Sequence, residues 1–166
     1  MRRGFTLVEV VMAVGIFAGS IAVVLSLLPS LARQSADSSD RLVAQRMSDA
    51  LQIELERQIA LIGFDSFANK VPVMDAPLSN GLDLVATSSG LRIEPVSGAG
   101  GGGIANDQHF LIEVWRFSQA PLAYDSSAAT LPLYVRISWP YRLPGSADPT
   151  AFRDRDEFTV VLALDR

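Results

Sequence analysis

Between Phe5 and Leu31 the chain carries a single ionisable residue, Glu9, and from Val10 to Leu31 it runs for 22 residues without a charge. No other stretch restricts the fold as strongly. At 1.5 Å rise per residue, a helix of that length spans about 33 Å, close to the ~30 Å hydrocarbon core of a bilayer. Arg2 and Arg3 precede the run. Basic flanks stay on the cytoplasmic side, so the rest of the chain is expected to cross. A carboxylate inside such a span costs on the order of 2.5–3.5 kcal/mol at the bilayer centre, and less near an end. Glu9 therefore needs a partner, and it separates this segment from a generic anchor.

The residues Gly4-Phe5-Thr6-Leu7-Val8-Glu9, behind two arginines and ahead of the apolar run, resemble the processing and assembly motif of type IV pilins and type II secretion pseudopilins. The resemblance implies cleavage after Gly4 by a prepilin peptidase on the cytoplasmic side, and N-methylation of the new terminus, Phe5. It also implies that Glu9 is the assembly carboxylate, paired with the terminal amine of a neighbouring subunit. The physics agrees, because a buried charge is costly unless compensated, and an amine on the adjacent helix compensates it only in the correct register. The implied partners are other pilin or pseudopilin subunits, the peptidase/N-methyltransferase, an inner-membrane assembly platform and the lipid bilayer. A fainter likeness, in the leader, Leu27-Leu28-Pro29 and Gln45-Arg46, is to pilin-like cassette proteins of Verrucomicrobia.

Three other readings use the same residues. A secretory signal would be cut at a small-x-small site, which Ser30-Leu31-Ala32 offers. Its apolar region would exceed the usual ~7–15 residues, however, and would contain Glu9. Arg2-Arg3-Gly4-Phe5 suggests a twin-arginine signal, against which the carboxylate again argues. An uncleaved anchor needs no glycine-phenylalanine junction. A lipoprotein is excluded, since the chain has no cysteine to acylate.

The 166 residues leave room for one span and one soluble domain of roughly 100 residues. The expected organisation is a leader at 1–4, a transmembrane and assembly helix at 5–31, an amphipathic continuation at 32–63, and a β-sheet domain at 64–166. Net charge is −4, and loss of Arg2 and Arg3 leaves 12 basic against 18 acidic residues, or −6. Such a balance lacks the basic stripe that a phosphate backbone demands, so no nucleic acid is expected as a partner. Without disulfides, a domain facing an oxidising space must rely on its packed core.

Within the run, Gly15 and Gly19 form a small-xxx-small pair of the kind that lets membrane helices approach, although glycine is also common in such helices. Pro29 removes a backbone donor, and a kink or local unwinding is expected near it. Ser35 to Asp40 is polar and either interrupts the helix or forms its solvated surface. Beyond it, Val43, Met47, Ala50, Leu51, Leu55, Ile59 and Ile62 recur at steps of three and four, an amphipathic stripe. Gly63 is a candidate C-cap. One long helix from about Phe5 to Ile62 is therefore expected.

Residues 65–80 read as an irregular connector with a short strand near Val71 to Met74. Strands are expected at Leu82–Thr87, Leu91–Val96, His109–Phe117, Leu131–Trp139 and Phe158–Leu164, all rich in β-branched and aromatic residues. Ser88-Ser89-Gly90 reads as a hairpin turn. In the third strand Phe110, Ile112, Val114 and Arg116 share one face, and Leu111, Glu113, Trp115 and Phe117 the other. Strands following one long helix predict an α+β domain, an antiparallel sheet with the helix on one face. The family resemblance implies the same architecture.

Little else in the sequence carries chemistry. Gly98 to Gly103 lacks the Lys-Ser/Thr of a phosphate-binding loop. His109 is the only histidine and no cysteine accompanies it, so zinc or triad chemistry has almost no material. Asp148, Asp154, Asp156 and Glu157 alternate with Arg153 and Arg155, which favours a solvated, salt-bridged loop over a calcium site. Trp115 and Trp139 read as core, whereas Tyr141, following Pro140, is a candidate for an exposed patch with Phe152. The expectation is a non-enzymatic structural subunit without cofactor or metal. It would be anchored in the inner membrane with an extracytoplasmic C-terminal domain, and would be a minor component of a pilus or secretion filament. The rival from another class is an extracytoplasmic binding domain delivered by an ordinary signal or anchor.

Overall fold

The structure is a computed structural model that describes residues 6–75, 81–96, 107–141 and 155–166. Helix α1 (Leu7–Ile62) is followed by α2 (Phe64–Lys70) and by five strands, β1 (Leu82–Thr87), β2 (Ile93–Pro95), β3 (Gln108–Arg116), β4 (Thr130–Trp139) and β5 (Asp156–Asp165). The chain divides into two compact units, Met1–Ser39 and Asp40–Arg166.

Helix α1 holds Pro29 in its interior and remains helical on both sides of it, so the local unwinding expected there is not found. Proline removes one donor, and the unbroken turns around it keep the other bonds in place. The polar stretch Ser35 to Asp40 is the solvated surface of the same helix, where the Ser38 hydroxyl donates to the Gln34 carbonyl at 2.8 Å. The helix stops at Gly63, whose φ of 85° suits glycine and whose N–H donates to the Ile59 carbonyl at 2.7 Å.

In the second unit α1 buries Ala44, Met47, Leu51, Leu55 and Gln58. Val43, Ala50 and Ile59 are half-buried beside them, and Ile62, expected to continue the stripe, is exposed. Gln58, outside the expected stripe, is buried too, and its amide donates to Glu54 at 3.1 Å. The opposite wall of this core is one face of the sheet: Leu84 and Ala86, then Phe110, Ile112 and Val114, then Leu131, Leu133, Val135 and Ile137. Each fully buried leucine or isoleucine contributes roughly 1.5–3 kcal/mol of transfer free energy.

The region after Gly63 departs from expectation. Phe64, Phe67 and Ala68 are buried on one side of α2, a spacing of three and four that the connector reading passed over. Burial of two phenylalanines is what fixes so short a helix, since seven residues cannot sustain one alone. Of the strand expected near Val71, only an isolated parallel bridge forms, Val73 with Arg116.

The sheet is antiparallel throughout, in the order β2-β1-β3-β4-β5. All five expected strands are present: β1 has the expected ends, and those of the others shift by at most two residues. The β1–β2 hairpin turns at Ser88-Ser89-Gly90, as expected, with the Gly90 N–H donating to the Thr87 carbonyl at 2.9 Å. The whole is the α+β arrangement of a long N-terminal helix with a five-stranded sheet, consistent with a pilin-like fold.

Candidate functional site

Of the three residues on which the resemblance turns, Gly4 and Phe5 lie outside the described residues, and Glu9 sits in the first turn of α1. The main-chain donors at a helix start have no partner within the helix. Here Thr6 and Glu9 supply partners reciprocally. The Glu9 N–H donates to the Thr6 hydroxyl oxygen at 3.3 Å, and the Thr6 N–H donates to the Glu9 carboxylate at 2.8 Å. The Thr6 hydroxyl also donates to that carboxylate, at 2.9 Å. This is a capping box, legible in the sequence as Thr6-Leu7-Val8-Glu9 and missed there. It gives Glu9 a local structural purpose, because the carboxylate is held at the helix end where the macrodipole favours negative charge.

Glu9 apart, the helix from Leu7, 83% exposed, through Phe17, Val24 and Leu28 to Leu31 presents apolar side chains to its surroundings on every side. An aqueous helix would keep a polar face; one that is apolar all round is suited to lipid or to other helices. Its few hydroxyls are satisfied within the helix itself. Ser20 donates to the Ile16 carbonyl at 2.8 Å, Ser26 to Val23 at 2.7 Å and Ser30 to Leu27 at 2.8 Å. Among the described residues from Leu7 to Leu31, each serine hydroxyl thus has its partner inside the helix, as a hydrocarbon environment requires. Among the described residues α1 is the one helix long and apolar enough to cross a membrane. Gly15 and Gly19 have open space where a side chain would stand.

In the second unit polar chemistry gathers on the sheet face opposite α1. Asp83, Glu113 and Arg136 stand directly across from one another on β1, β3 and β4. Arg136 pairs with Glu113 at 2.8 Å and lies over the Trp115 ring at 5.2 Å. Partial burial, and then the facing Glu113, push the Asp83 carboxyl above the usual carboxylate range. Trp115 is fully buried, as expected of a core residue, but on this outer face and beside Tyr134. Trp139 is buried in the main core. Tyr141 is buried with Val85 and Leu111, so the exposed patch proposed around it is not there. Its partner in that patch, Phe152, lies outside the described residues, as do Gly98 to Gly103, Asp148, Arg153 and Asp154.

The remaining sequence candidates are dispersed. His109, the second residue of β3, reaches Asp40 of α1 at 3.1 Å, a pairing that no local pattern announces. Asp156 and Glu157 are exposed at the start of β5, and Arg155 donates to the Tyr141 carbonyl at 3.1 Å. Asp65 of α2 accepts hydrogen bonds from both Tyr124 and Arg166, which ties the end of β5 to α2. No family model, curated protein or solved structure matches this chain.

Proposed function

We propose that the protein is a structural, non-enzymatic subunit of a type IV pilus or type II secretion-like filament, and a minor one. It is made as a membrane precursor, cut after Gly4, methylated on Phe5, and drawn into the filament through Glu9. The span lies in the inner membrane with the sheet domain extracytoplasmic. The partners are the prepilin peptidase/N-methyltransferase, an assembly platform and other pilin-like subunits.

The observation that carries the reading is a lone carboxylate in the first turn of a helix that is otherwise apolar on all sides as far as Leu31. That helix runs on without interruption to Ile62, where its second half forms part of the core of the sheet domain. A signal cut after Ala32 would sever the helix in mid-course and leave its end ragged at Arg33. The Thr6 donors offset part of the cost of carrying Glu9 in a separate subunit. In the filament a positive amine supplies the stronger, charge-assisted bond.

The test is Glu9→Val. Insertion should be no worse, since a costly carboxylate is removed. Cleavage should proceed, while co-purification with other pilin-like subunits should fall. Equal recovery of partners, with both forms correctly cleaved, would exclude an assembly role for Glu9.

A further inference from the structure

The two edges of the sheet are built differently. β2 is three residues long and ends on Pro95, so it offers little to an incoming strand. β5 is ten residues long and pairs with β4 in unbroken register from Asp156 to Asp165. Its centre, Phe158 to Leu164, has no charge, no proline and no bulge, the usual means by which an edge is protected.

The apolar row on the core side is also unfinished there. On β4 the inward residues Leu131, Leu133, Val135 and Ile137 are completely buried. On β5 the corresponding Leu164 is buried, whereas Phe158, Val160 and Leu162 are only partly covered. On the other face Thr159, Val161 and Ala163 are exposed, with Val161 at 57%. Among the described residues, both the ladder and the side-chain row stop at β5.

We infer that the free edge of β5 receives an extended segment of another protein, apolar at alternate central positions and basic at both ends. Charge selects this occupant. Asp156 and Glu157 flank the apolar centre on one side and Asp165 on the other. Arg166, which would neutralise the far end, is engaged with Asp65. A second copy in the register centred on Val161 fits badly: antiparallel β5-on-β5 pairing there sets Glu157 against Asp165 twice, and like charges directly opposed are unfavourable. A strand with lysine or arginine at its ends answers every acid while its main chain completes the ladder. This surface belongs to the sheet domain and does not depend on the filament reading.

The test uses the full chain in detergent micelles and a synthetic peptide as long as β5, with alternating valine and threonine between terminal lysines. Binding by fluorescence anisotropy should protect alternate amides of β5 from hydrogen exchange. Replacing the terminal lysines by glutamates should weaken binding about tenfold. Of two peptides N-methylated on alternate amides, one should bind and the other should not. Val161→Lys should weaken the lysine-ended peptide and leave the fold intact, because that side chain stands in solvent. Equal binding by both methylated peptides would overturn the inference. So would protection, in the dilute free chain, of the alternate β5 amides that do not bond β4, or self-association that the peptide cannot displace.

Discussion

Gly90 is where the β1–β2 hairpin meets α1, and one methyl group there should cost more than any exposed substitution. Its φ of +71° disfavours side chains, and a Cβ would stand 2.9 Å from Val43 Cγ1 and 3.2 Å from Met47 Cε. A left-handed alanine costs about 1–2 kcal/mol, and forcing a methyl into a packed site costs about 1–3 kcal/mol more. Reduced freedom of the unfolded chain returns about 0.4–1 kcal/mol. Gly90→Ala should therefore destabilise by about 2–3 kcal/mol. Methionine can swing its end aside, but valine is stiff, so Val43 carries the conflict. Val43→Ala alone should cost about 1 kcal/mol for a half-buried side chain. The double substitution should then be about 1 kcal/mol less damaging than the sum, since the clashing methyl is gone. Urea unfolding followed by the fluorescence of the buried Trp115 and Trp139 measures all three variants. A neutral Gly90→Ala, or strict additivity, would refute the proposed contact.

Two further outcomes concern the sheet domain. Asp83→Asn should stabilise the fold at neutral pH by roughly 0.2–1 kcal/mol, the scale of two like charges set opposite each other. Because folding raises the Asp83 carboxyl above its ordinary value, its ionisation opposes folding as pH rises through that range. The gain should thus vanish below the ordinary carboxylate pKa, and urea midpoints at acid and neutral pH will show whether it does. A fragment from Ser35 to Arg166 should be soluble and show mixed helical and sheet circular dichroism, because it keeps Met47, Leu51 and Leu55 against the sheet. Solubility gained only by truncating beyond Gly63 would contradict that packing.

Period was the most readable property of the chain. The stripe from Val43 to Leu55 and the alternation of Phe110, Ile112 and Val114 each specify a face, and those faces meet in the core. What could not be read depends on contacts between distant residues. Tyr141 follows a proline and looked solvent-bound, but Val85 and Leu111 provide a second small core on the outer face. His109 meets Asp40 only because β3 begins beside that turn of α1. Helix α2 was legible in Phe64, Phe67 and Ala68 and went unread because proline-containing sequence follows it. At the candidate site, Glu9 was identified through its cost in lipid, and its reciprocal bonding with Thr6 was overlooked although the spacing displays it.

The first residues are proposed as a processing and assembly signal. Expression of the full chain with a prepilin peptidase, followed by mass spectrometry of the membrane-bound product, tests it most directly. The account predicts a chain that begins at Phe5 with a methylated amine, and an uncut precursor when Gly4 is replaced by a bulky residue. A product that begins at Arg33, or normal maturation of the Gly4 variant, would contradict it.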